Sequence, residues 1–360
     1  MLFVVRRLQE LGRQRQILLF MCFVDLQKAY DSVDRELLWK VLARAGVPVE
    51  TVDIIRQFHG MRARVRIDSG DLSDWFDVTQ ALRQGCVLSP LLFNIFFAAA
   101  AIEVVLRRFS EDAIILRELV RLAEDGGPGA IAESAIEVVH RAVWGMLYAD
   151  DMGVVSKAAG QTYAPASNFC YLGGLITEHG ELMPEIRRRS AAAWTRIQRY
   201  KRELFDRPGA PWSLKVRLLK AEAMGVLLYG CITWAPREEH YQELRKTHYR
   251  LLLRVIGYRR QRGTYRQLSY AKALEKTDSQ RIEAIIRQRQ LLLAGALERQ
   301  ADGRLPKRLM DGSLVGGTTL GRGRPSHNWE AARKDNLKIL KATAGSTEDR
   351  PLVFGVAGGD

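Results

Sequence analysis

The chain has 360 residues, of which 47% are hydrophobic and 27% charged, enough for a sizeable core and two or three domains, so it reads as a globular protein. Its formal charge is +14, and residues 181–300 hold 26 Lys and Arg against 12 Asp and Glu, so that segment carries the whole excess. Four isolated cysteines without a C-x-x-C exclude a zinc knuckle and a disulfide framework, an N-terminus without a signal pattern gives secretion no support, and no apolar run is long enough for a bilayer span.

In chain order, residues 1–16 read as a basic helix leading into a strand over 17–26 that carries Asp25. VDRELLWKVLARAGV follows as an amphipathic helix ended by Gly46 and Pro48, and RARVRID with WFDVTQ forms a hairpin around SGDLSD. In LRQGCVLSPLLFNIFF, Gln84 and Gly85 make a turn where glycine lets backbone approach a ligand, and Ser89-Pro90 supply an N-cap and first-turn proline for an apolar core helix. Taken alone, this stretch is an ordinary loop entering a core helix. Residues 107–143 interrupt the pattern, with EDGGPGA as a flexible loop. WGMLY and MGVVS are two strands of a hairpin whose turn is Asp150-Asp151.

The basic segment reads as helical. EIRRRSAAAWTRIQRYKREL, SLKVRLLKAEAMGVLLYG and EEHYQELRKTHYRLLLRVIG place apolar residues three and four apart, and Gly230 and Gly257 fall where helices stop. Trp194, Tyr200, Trp212 and Tyr249 lie on or near the apolar stripes as core aromatics. The cysteines Cys22, Cys86, Cys170 and Cys231 are expected to be reduced, mostly buried thiols of an intracellular protein with no disulfide-linked partner. After residue 300 the composition turns to Gly, Arg and Thr, a loose tail with one helix near 326–341.

The chemistry concentrates in Asp25, Asp150 and Asp151. Each lies in an apolar, strand-type run, and carboxylates packed together in a core repel unless something positive sits between them. Magnesium suits hard carboxylate oxygens, and two ions roughly 3.5–4 Å apart clamp the attacking and leaving oxygens of an in-line phosphoryl transfer. A solvated Asp-Asp turn accounts for the pair but leaves Asp25 unexplained. A basic surface beside such a site is the footprint of a protein that tracks phosphate backbones.

In order and spacing, FVDLQKAYDSVDRELLWKVLARAGVP, RQGCVLSPLLFNIFFAA, YADD and NFCYLGGLI resemble the reverse transcriptases of non-long-terminal-repeat, LINE-like retrotransposons, from about Met1 to about Ile256. The resemblance implies an α+β fold: a right-hand polymerase palm of antiparallel sheet and packed helices, then a helical thumb. It divides the chain into palm with partial fingers (1–180), basic nucleic-acid-binding thumb (181–300) and tail (301–360). It implies RNA-directed DNA polymerase activity on an RNA template, a DNA primer and deoxynucleotides, with no membrane partner, in the nucleus. Asp25, Asp150 and Asp151 would be the catalytic ligands of two magnesium ions, with manganese as an alternative. Tyr30 falls where the family places the aromatic that excludes a 2′-hydroxyl, which discriminates sugars without reading the base. Gln84 and Gly85 fall where the incoming nucleotide is contacted, and Phe169, Tyr171, Leu172, Gly173 and Gly174 look like the strand pair that grips the primer end.

Departures from the family pattern mark the chain as truncated at the N-terminus and internally. Only 24 residues precede Asp25, leaving Arg6 and Arg7 as remnants of the fingers' phosphate contacts. Only 17 residues separate Asp151 from Phe169, where the family carries a helix and a lysine-bearing strand, and Lys157 is the nearest replacement. A degenerate, inactive nucleic-acid-binding remnant is therefore the competing reading, with an intron maturase-like protein behind it.

Overall fold

The computed structural model describes residues 1–66, 70–83, 85–109, 113–121, 136–143, 145–148, 151–157, 166–207, 209–257, 268–318 and 327–345. It is a mixed helix and sheet fold. In chain order come α1 (Leu2–Gln14), β1 (Phe20–Asp25), α2 (Arg35–Arg44), α3 (Val49–His59), β2 (Met61–Ala63), β3 (Phe76–Val78) and α4 (Ser89–Phe109). Next are β4 (Ile114–Arg121), β5 (Ile136–Val143), β6 (Gly145–Tyr148), β7 (Asp151–Ser156), β8 (Asn168–Tyr171) and β9 (Gly174–Thr177). The remainder comprises α5 (Met183–Arg199), α6 (Trp212–Leu218), α7 (Met224–Leu227), α8 (Glu238–Ile256), α9 (Tyr270–Thr277), α10 (Ile282–Glu298), α11 (Leu305–Asp311), β10 (Ser313–Leu314) and α12 (Trp329–Gly345). The chain divides into two compact units, one of residues 17–117 and 138–162, the other of residues 1–16, 118–137 and 163–360. This partition differs from a division at residues 180 and 300.

In the first of these units, α2 starts where Asp34 accepts a hydrogen bond from Leu37 N–H at 3.0 Å, satisfying one of the orphan donors of the first turn. Its Leu38, Trp39 and Leu42 meet Leu92 and Phe93 of α4 in one core with Val33, Val52 and Leu82. A sheet of order β1-β7-β6 is antiparallel throughout. The β2–β3 hairpin pairs Met61 to Val78 and Ala63 to Phe76, shorter than the sequence pattern suggests. Helix α3 and strands β4 and β5 were not expected: Pro48 ends the preceding helix but also starts α3, and β4 and β5 occupy ends of the stretch read as an interruption. The EDGGPGA loop lies outside the described residues.

The other unit is built on helices whose apolar stripes converge. Ile186, Ala193 and Ile197 of α5, Leu244, Leu251 and Leu252 of α8, and Ile282 and Ile286 of α10 are completely buried in a single core. Gly230 and Gly257 both adopt left-handed φ (+71° and +73°) at the ends of helical segments, as their positions predict. The helix expected over residues 213–230 runs without a gap from Trp212 to Leu227, with a wider π-helical turn, Leu219–Ala223, between α6 and α7. Trp194, Tyr200 and Tyr249 pack against this core, whereas Trp212 is exposed.

The helix expected near 326–341 is present as α12, and it is packed rather than loose. Trp329 at the start of α12 is buried with Phe3, Ala294, Leu297 and Met310, its ring edge-on to Phe3 at 4.8 Å. Its indole N–H donates to Ile232 O (2.9 Å), and its backbone N–H donates to the Glu10 carboxylate (3.1 Å). Asn336 donates to Gln290 Oε1 while Gln290 donates to Trp234 O, both at 2.8 Å, so these two buried amides are paired with each other and with backbone. Gly/Arg/Thr composition hid this because three or four anchors are enough to seat a helix on an existing core. All four cysteines are free thiols, but only Cys231 is buried; Cys22 and Cys170 are exposed.

Candidate functional site

The register of β1 on β7 sets Asp25 directly opposite Asp151, with Phe23 opposite Gly153 and Met21 opposite Val155. Side chains of directly opposed residues leave the same face of a sheet with Cβ atoms roughly 4.5–5.5 Å apart. Two acids 126 positions apart in sequence are thus cross-strand neighbours. The expectation of a buried aspartate is corrected: Asp25 is exposed and Asp151 half-buried, because both stand at strand ends. The cost that singles them out is like-charge opposition rather than burial. Beneath the pair the face is filled by Met146, whose side chain lies over Gly153; a Cβ there would stand 3.1 Å from Met146 Cγ.

The β6–β7 hairpin forms as its sequence suggests, but Asp151 belongs to β7, paired with Tyr148, so the acidic pair is not itself the turn. Asp150 and Gln84 lie outside the described residues. Among the described residues no three His, Cys, Asp or Glu side chains cluster for a metal. Nor, among them, is any helix long and apolar enough to cross a membrane.

Tyr30, five residues beyond Asp25, is half-buried and stacks on Phe93 of α4 with ring centroids 4.8 Å apart. Its carbonyl accepts from Leu82 N–H (2.9 Å), and Val33 O accepts from Ala81 N–H (3.1 Å), which ties the segment before Gly85 to the Tyr30 turn. Arg35 reinforces this from α2: its guanidinium donates to Ala81 O at 2.8 Å and to Val78 O. That role carried no sequence signal, since an arginine at a helix start is ordinarily solvated. Gly85 has φ +84° and nothing within 4 Å of where a Cβ would stand, so backbone there is accessible. Ser89 stands at the start of α4. Its hydroxyl donates to Arg83 O (2.6 Å) and closes the turn around Gly85, whose Cys86 thiol is held below its ordinary pKa chiefly by a backbone hydrogen bond at Leu88.

In the other unit, β8 and β9 form a hairpin with Asn168 opposite Thr177 and Tyr171 opposite Gly174. Leu172 and Gly173 make its two-residue turn at φ +46° and +72°, the left-handed pair that matches the twist of a tight hairpin. Phe169 is exposed and its ring lies parallel to Tyr171 at 6.5 Å, while Tyr171 is buried. Gly174 packs on α1, where a Cβ would come 2.8 Å from Leu2. Arg6 and Arg7 are not phosphate contacts. Arg6 donates to Leu175 O (3.2 Å), and Arg7, wholly buried, bonds Leu309 O, Met310 O, Glu10 and Glu330.

Residues 6–219 match the family of reverse transcriptases (RNA-dependent DNA polymerases). The chain belongs to that family. A transposon-derived protein of Caenorhabditis elegans is 28% identical over 139 residues, covering 38% of this chain and 48% of the relative, so the match spans about half of that protein's length. Among solved structures, telomerase from Candida albicans in complex with a telomeric RNA fragment aligns over 86% of this chain and 51% of its own, with 11% identity and a TM-score of 0.34. Apo telomerase from Candida tropicalis aligns over 87% and 56%, with 9% identity and the same score. The family assignment rests on the sequence match.

Proposed function

We propose that this chain is the polymerase portion of a non-long-terminal-repeat, LINE-like retrotransposon, extending a DNA primer with deoxynucleotides on an RNA template. The observation that supports this reading is the direct opposition of Asp25 and Asp151 on β1 and β7. Two carboxylates facing each other offer hard oxygen donors, which fit magnesium and not a soft-ligand metal. In this reading Asp25, Asp150 and Asp151 hold two magnesium ions, or manganese in their place. Bound there, the ions supply the positive charge that a triphosphate and an attacking 3′-oxygen require.

The remaining roles belong to side chains. Tyr30, stiffened by its stack on Phe93, would stand against C2′ of the incoming sugar and exclude a ribose hydroxyl. Gln84 and Gly85 would contact the nucleotide, Gly85 through an unobstructed backbone. The sheet β1-β7-β6 would be the palm, α5 to α8 the thumb, and β8–β9 the primer-holding hairpin. A nuclear setting follows from a DNA primer and from four free thiols.

A second reading, a nucleic-acid-binding remnant that no longer extends primers, is favoured by one observation. Arg7 is buried and consumed by internal bonds, which leaves it nothing for a triphosphate. Primer extension on an RNA template, run beside Asp151→Ala, separates the two. Extension that disappears in the variant supports the polymerase; equal signal from both proteins removes it. In an active enzyme, Tyr30→Ala should admit ribonucleotides, and an unchanged preference would strip Tyr30 of its role.

A further inference from the structure

The turn of the β8–β9 hairpin is held by a set of side chains that neither the family pattern nor the sequence spacing singles out. Tyr229 donates its hydroxyl to Leu172 O at 2.7 Å. Arg188 donates to Gly173 O at 2.6 Å, and Arg189 donates to the same carbonyl. Arg189 also lies over the Tyr229 ring, its guanidinium carbon 4.4 Å from the centroid. Both arginines converge on Glu185, which is 1% exposed and bonds each at 2.9 Å. The Glu185 carboxylate also accepts Leu175 N–H from β9 at 3.1 Å. A buried carboxylate paired to two guanidinium groups and a backbone donor is satisfied, and the planar forks of arginine fix direction as well as distance.

This arrangement is more than a way to stabilise a turn. A two-residue hairpin turn needs no side-chain help when glycine or asparagine fills both positions, yet Leu172 stands in the left-handed region at φ +46°, a conformation that leucine adopts only at a cost. The two carbonyls that the turn projects are both taken by helix side chains, so the hairpin tip is bolted to α5 and to Tyr229, just beyond α7. From this we infer that Glu185, Arg188, Arg189 and Tyr229 are positioning residues that set where the hairpin holds a primer terminus. Their ligand class is the recessed 3′ end of a template–primer duplex. The inference rests on the primer-holding reading of β8–β9. Glu185 orients the arginines, the arginines and Tyr229 fix the carbonyls of Leu172 and Gly173, and Phe169 and Tyr171 follow as a rigid pair.

The test uses the full chain and fluorescence anisotropy on two duplexes of equal length, an RNA–DNA template–primer with a recessed 3′ end and a blunt one. Arg189→Ala, which loses a charge-assisted hydrogen bond, should weaken binding of the recessed duplex about tenfold and leave the blunt one unchanged. Tyr229→Phe removes a single hydroxyl from an exposed ring and cannot unfold the chain; it should weaken recessed-end binding by about threefold. Equal losses on both duplexes, no loss in either variant, or a wild-type protein that does not prefer the recessed end would each overturn the assignment. A wild-type protein that keeps its recessed-end preference but extends no more primer than Asp151→Ala would sink the polymerase reading and leave this one standing.

Discussion

Replacing Asp25 with asparagine should make the metal-free protein more stable while abolishing its response to magnesium. Two carboxylate charges about 5 Å apart, the spacing expected of directly opposed residues, repel by about 0.8 kcal/mol in bulk water and about 3 kcal/mol at an effective dielectric near 20. Asp25 is exposed and Asp151 half-buried, which puts the relief near the lower bound, about 1 kcal/mol. In a unit of this size that corresponds to a melting temperature higher by roughly 2–4 °C. Scanning calorimetry in chelator and then in millimolar magnesium reads both halves. Without divalent ions Asp25→Asn should melt above the wild type; with magnesium the wild type should rise and the variant should not. A variant that melts lower in chelator, or a magnesium shift of equal size in both proteins, would show that the two acids do not share an ion.

Arg7→Ala should cost about 3–5 kcal/mol, since it strands the buried Glu10 carboxylate and the carbonyls of Leu309 and Met310. Burial already pushes the Glu10 carboxyl up against the pull of Arg7, so losing that partner leaves the carboxylate still less compensated. Urea denaturation measures the loss, and a value below about 1 kcal/mol would contradict the arrangement of α1 on α11. His248 provides a pH test. Burial lowers its pKa from 6.5 to about 4, and Tyr270, whose oxygen accepts from Ile282 N–H (3.4 Å), donates to its Nδ1 (2.9 Å). The unfolded chain takes up the proton first as pH falls, so this contribution is complete above pH 6.5 and declines toward pH 4, by about 2 kcal/mol at pH 5. His248→Gln should flatten that part of the profile; an unchanged slope would assign the loss to other groups.

Local signals were legible wherever one turn of chain decides the outcome. Helix α2 formed within its amphipathic run, Gly230 and Gly257 took left-handed φ, and the apolar stripes of α5 and α8 went into the core. Strands β1, β6 and β7 lay where their apolar runs indicated, though Asp151 began a strand and did not close the turn. Other features depended on neighbours supplied from far along the chain. Helix α12 was expected near 326–341 but its packing was not, since Trp329 finds Phe3 more than three hundred positions away. In sequence Arg6 and Arg7 read as remnants of the fingers' phosphate contacts, and their partners are carbonyls of β9 and α11 and the carboxylates of Glu10 and Glu330. Arg188 and Arg189 looked like a solvated basic face, and they hold the Leu172–Gly173 turn.

By itself the sequence determined the family, the strands β1, β6 and β7 and the apolar stripes of α5 and α8, because motif spacing and apolar periodicity act over a few residues. Only the tertiary structure decided that Asp25 stands across from Asp151. Strand register is a non-local choice: a slip of one residue would turn one acid to the opposite face, and no local propensity distinguishes the two pairings.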